Sequence, residues 1–170
     1  MIGEAMTAIA QDAQRQSLLF DYGVASAEDV IHWADSKIVE MDSPPDALIE
    51  LSTTAPDHTA DIISLLHRLR EGADFWLAFR LVLGQLHDYV TNHPARAESI
   101  ANHLFLTACA FYPAEIPADL QFLYRFDDAF SLARTGTYGE PDTVYKEFIS
   151  ELGRYKQKAY QSAGANLAPR

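Results

Sequence analysis

The 170-residue chain has one cysteine, Cys109, so it cannot close an internal disulfide, and no cysteine-rich zinc spacing is present. Cys109 sits in the apolar string "LFLTACAF", where a small buried side chain is expected rather than a nucleophile. Long hydrophobic runs are also missing: nothing approaches the ~20 apolar residues that cross a bilayer. The first residues, "MIGEAMTAIAQDAQRQ", lack the basic start and continuous apolar segment of a secretory signal. A soluble cytoplasmic protein is therefore expected, without membrane contact. The two glycines of "TGTYGEP" follow no strand and precede no Lys-Ser/Thr, so they mark a turn rather than a phosphate loop. No nucleophile elbow occurs, and no bound cofactor is expected.

Basic residues are the other shortage. There are 13 Lys and Arg against 24 Asp and Glu, a net charge of -11. The excess is concentrated: residues 28–61 hold nine carboxylates and one lysine, Lys37, for a net of -8. Such a surface repels nucleic acid and attracts basic partners. Glu28, Asp35, Glu40, Asp42, Asp46 and Glu50 are the candidate contact residues. The last segment interleaves Lys146, Arg154, Lys156 and Lys158 with Tyr145, Tyr155 and Tyr160. Global acidity opposes a nucleic-acid role for it, and its lysines are expected to balance a helix dipole.

What is present is apolar spacing at three and four residues, with 48% hydrophobic residues to form a core. The spacing predicts an all-α chain: a single compact bundle of about seven helices with short turns over residues 1–160, and a flexible tail over 161–170. Gly23 should end the first helix, Ser26 should cap the second through the Asp29 backbone, and Pro44-Pro45 should restart the chain. Further helices are expected over 57–71, 75–92 with Asp74 as its cap, 94–112, 117–134 and 141 to about 160. The 75–92 segment is apolar on nearly every face and is expected to be central.

That segment carries His87-Asp88, which invites comparison with the H…HD…D pattern of metal-dependent phosphohydrolases when His67 and Asp127-Asp128 are included. Helix geometry opposes it. With a turn at residues 72–74, the 1.5 Å rise per residue puts His67 and His87 about 17 Å apart at the backbone, too far to share an ion. His87 and His103, about 9 and 13 Å from the bend at Pro94, could face each other. His87, Asp88 and His103 thus form an alternative metal-dependent hydrolase site, against the simpler reading of a buried polar pair satisfied by Arg80 or Arg125. The adjacent aspartates Asp127 and Asp128 diverge by about 100° around a helix and are expected to be solvated or paired with arginine.

Residues 22–51, "YGVASAEDVIHWADSKIVEMDSPPDALIEL", resemble a segment of small uncharacterised bacterial all-helical proteins, some of them immunity-like. The resemblance rests on Tyr22-Gly23, Glu28-Asp29-Val30-Ile31, Trp33-Ala34-Asp35, Pro44-Pro45 and Leu48-Ile49. It implies a helical protein and supplies no catalytic residues. The expected function is a non-enzymatic binding module, an immunity or inhibitor protein whose acidic face over 28–61 engages a basic protein. A homodimer is a further expectation.

Overall fold

The computed structural model describes residues 2–156, with side chains from residue 6 onward. Its regular elements are all helical, with no strand among the described residues. Eight α-helices follow in order: α1 (Ile2–Asp21), α2 (Ala27–Glu40), α3 (Asp46–Ser52), α4 (Thr59–Leu69), α5 (Phe75–Asn92), α6 (Ala97–Cys109), α7 (Phe126–Arg134) and α8 (Pro141–Gly153). None is long and apolar enough to cross a membrane. The expected tail, with Lys158 and Tyr160, lies outside the described residues.

Local chemistry accounts for the boundaries. Gly23 takes φ +65° after α1, the left-handed turn that side-chain-bearing residues avoid. Ser26 Oγ accepts the Asp29 N–H at 3.2 Å, while Asp29 returns the bond by accepting the Ser26 N–H at 2.8 Å. That is a full reciprocal capping box, and its hydrogen bonds hold the Asp29 carboxyl below the ordinary range. Asp74 Oδ1 accepts the Leu77 N–H at 3.0 Å and starts α5.

Two segments differ from the expected continuous helices. Pro94–Arg96 is a 3-10 turn ahead of α6, and Ala118–Tyr124 is a 3-10 helix ahead of α7. The second follows from apolar spacing. Within it Leu120 and Leu123 are buried three residues apart, a spacing that a helix of three residues per turn places on one side.

Tertiary packing divides the chain into two compact units, Met1–Val82 and Leu83–Arg170, with the boundary inside α5. In the first, α1 packs on α4, and α3 packs on both α2 and α4. Its core joins Ile9, Val30, Trp33, Leu48, Leu51, Ile62 and Leu66, mostly aliphatic. Arg70 Nη1 donates to the buried Ser17 hydroxyl at 3.1 Å, and Gln11 exchanges two bonds with the Asp74 backbone, tying α1 to the α4–α5 turn. In the second, α7 packs on α6 and α8. Its core is aromatic at the centre: Phe148 lies 5.1 Å from Phe126 and 5.6 Å from Phe130, centroid to centroid.

Candidate functional site

The acidic residues singled out from the sequence fall on the outer faces of α2 and α3 and the turn between them. Val30, Trp33 and Ala34 turn α2 inward. Glu28, His32, Asp35 and Val39 follow at helical spacing on its exposed side. Val39 is 88% exposed, an apolar side chain standing among carboxylates.

Ion pairing separates these acids into two groups. Glu40 accepts from Lys37 Nζ at 2.9 Å, and Asp12 lies 3.5 Å from the same ammonium. Lys37 is thereby held above its ordinary pKa, chiefly by the Glu40 hydrogen bond. Glu50 is engaged by Arg68 of α4 at 2.7 Å. Glu28, Asp35, Asp42 and Asp46 are exposed, and no cation among the described residues pairs with them. The structure thus leaves four of the six candidate acids with their charge directed to solvent.

Asp46 also lines a groove of about 570 Å³ formed by α1, the start of α3 and the end of α4. Ile9, Ala10, Ala47 and Leu69 give it an apolar floor, and Met6 and Glu71 stand exposed along it. Sequence reasoning missed Glu71. One signal was available: a carboxylate just after the last turn of α4 lies where the helix dipole disfavours negative charge.

His87 and Asp88 of α5 answer each other. His87 Nδ1 lies 3.0 Å from Asp88 Oδ1, and Lys156 Nζ, just past α8, reaches the same oxygen at 2.6 Å. The lysine first, then the histidine, hold the Asp88 carboxyl below its ordinary range. The His87 ring packs against Gly153, where an added Cβ would stand 3.2 Å from Cδ2. His103 is on α6, its carbonyl accepting from Thr107 Oγ1 at 2.9 Å. Among the described residues no three His, Cys, Asp or Glu are gathered to hold a metal ion.

Three other side chains differ from expectation. Asp127 accepts from Asn102 Nδ2 at 2.9 Å rather than from an arginine. Arg125 reaches Glu147 at 3.3 Å, while its guanidinium carbon stands 4.4 Å from the Phe126 ring centroid. Cys109 is exposed, not buried. The buried stripe of α6 runs through Ala97, Ile100, Ala101, Leu104 and Ala108, so the next residue turns about 100° away. No family model, curated protein or solved structure matches the chain.

Proposed function

We propose that the chain is a non-enzymatic binding module that engages a basic protein through the acidic surface of α2 and α3, in the manner of an immunity or inhibitor protein. One observation carries this reading: Glu28, Asp35, Asp42 and Asp46 are exposed without a compensating cation among the described residues, inside a segment of net charge -8. Carboxylates directed to solvent at this density steer a cationic partner toward the surface and make association sensitive to salt. Val39 supplies an apolar contact in the same stripe.

The test uses a lysine-rich peptide of net charge about +6 as a surrogate for the partner, titrated by calorimetry at rising salt. Affinity is expected to fall roughly tenfold or more between 50 and 300 mM NaCl as the Debye length contracts. Asp35→Lys with Asp42→Lys should abolish binding. Asp128→Lys with Asp142→Lys reverses the same number of exposed charges in the second unit and should leave most of it. Equal losses in the two double variants, or indifference to salt, would refute a dedicated acidic surface.

A further inference from the structure

We infer that the groove between α1, α3 and α4 is the anchor site of this surface, receiving an amphipathic cationic segment of the partner protein: a lysine or arginine side chain together with its apolar neighbours. This rests on the binding reading above and states where and how the partner is held. At about 570 Å³ the groove falls within the size range of ligand-holding clefts, and its composition selects one chemistry. The floor is apolar, made by Ile9, Ala10 and Leu69, each only 6–7% exposed. It can receive the methylene stem of a long cationic side chain or a neighbouring leucine.

The charges along the groove are unbalanced. Asp46 and Glu71 both line it and have no cation partner among the described residues. Arg68, the groove's cation, is already engaged by Glu50 at 2.7 Å. An anionic occupant would meet two unneutralised carboxylates, and a purely apolar one would desolvate them without compensation. A cationic head on an apolar stem satisfies both parts of the lining. Met6, exposed at the groove, adds an unbranched, adaptable side chain suited to a partner surface.

The probe is a synthetic amphipathic helical peptide of lysine and leucine, titrated into isotopically labelled protein and followed by methyl NMR. Its methyl signals should shift at Met6, Ile9 and Leu69. Affinity should fall roughly tenfold in Asp46→Asn with Glu71→Gln, the size expected for two half-exposed ion pairs. Replacing the peptide's leucines by serine should weaken it similarly. Both substituted positions are exposed, so folding is preserved, and circular dichroism checks this. If binding keeps its full strength in that variant but is lost in Asp35→Asn with Asp42→Asn, the groove assignment is overturned and the acidic-surface reading survives. If the wild-type protein shows no salt-sensitive binding at all, both are overturned together.

Discussion

The two units treat their acidic residues differently. The first holds 14 carboxylates against 5 Lys and Arg, the second 10 against 8. In the second unit four of the ten acids pair with a cation, Glu98 with Arg134, Glu147 with Arg125, Glu151 with Arg154 and Asp88 with Lys156, and Asp127 accepts from Asn102. In the first, Glu28, Asp35, Asp42, Asp46 and Glu71 face solvent without a cation among the described residues. Exposed ion pairs add little to stability, so the contrast concerns what each surface offers to other molecules. The second surface is closer to charge balance, 10 acids against 8 bases, than the first, 14 against 5. The first therefore keeps the larger excess of unpaired carboxylates, even with Asp12, Glu40 and Glu50 engaged by Lys37 and Arg68.

The cores differ as well, and the largest predicted effect comes from there. Phe148 is fully buried and touches two further rings, so Phe148→Ala removes an aromatic side chain from the centre of the second unit. The expected cost is about 3–5 kcal/mol, measured by chemical denaturation. Leu48, equally buried in the aliphatic first core, should cost about 2–5 kcal/mol as Leu48→Ala. A Phe148→Ala loss under 1 kcal/mol would mean that the aromatic cluster is not the centre of its unit.

Glycine sharpens the contrast at a smaller scale. In the first unit Gly23 and Gly72 serve turns, at φ +65° and +81°. In the second, Gly84 lies inside α5 because another chain segment approaches it: an added Cβ would stand 3.1 Å from the Tyr155 carbonyl oxygen. That backbone cannot readily retreat, since Tyr155 is buried and its hydroxyl donates to the Asp119 carbonyl at 2.7 Å. Overpacking of about 1–3 kcal/mol should exceed the ~1 kcal/mol that alanine gains in helix propensity, leaving Gly84→Ala destabilised. Gly153→Ala meets only a side chain, the His87 ring, rather than backbone, and should cost less. Equal thermal stabilities for the two variants would contradict this distinction.

The sequence made much of this framework legible because its signals were local. The bounds of α5 agree with the expected 75–92, since Asp74 caps one end and His93-Pro94 breaks the other. Ser26 and Asp29 were readable as a cap for the same reason. Missed features depend on which face is buried, which the rest of the fold decides. The three-residue spacing of Leu120 and Leu123 fits a 3-10 turn as well as an α-helix, and choosing between them required knowing how both are buried. Cys109 reads as core in an apolar string until α6 fixes which face is inward. At the candidate surface, composition marked the acids. Only the structure separates Glu40 and Glu50, taken by Lys37 and Arg68, from Asp35, Asp42 and Asp46. The groove joins residues 6 to 72 and has no contiguous signature.

The smallest predicted effect tests the charge contrast directly, through its sign. Asp88 is held below the ordinary carboxyl range by Lys156 and His87, so the folded state favours its ionised form. Its stabilisation is therefore complete above the unfolded carboxyl pKa of ~3.9 and is lost as pH falls through the lower folded value. Asp88→Asn should destabilise the protein at pH 7 by about 0.2–1 kcal/mol, because the pair is largely exposed. The gap from wild type should close below about pH 4. Asp35→Asn with Asp42→Asn removes repulsion without breaking a pair, so stability should change by no more than ~0.5 kcal/mol, in the stabilising direction at low salt. Added salt should erase that gain, since screening acts on the same repulsion. Opposite signs in the two urea titrations at pH 7 are expected; losses of equal size in both variants would show that the carboxylates of the first unit are as engaged as those of the second.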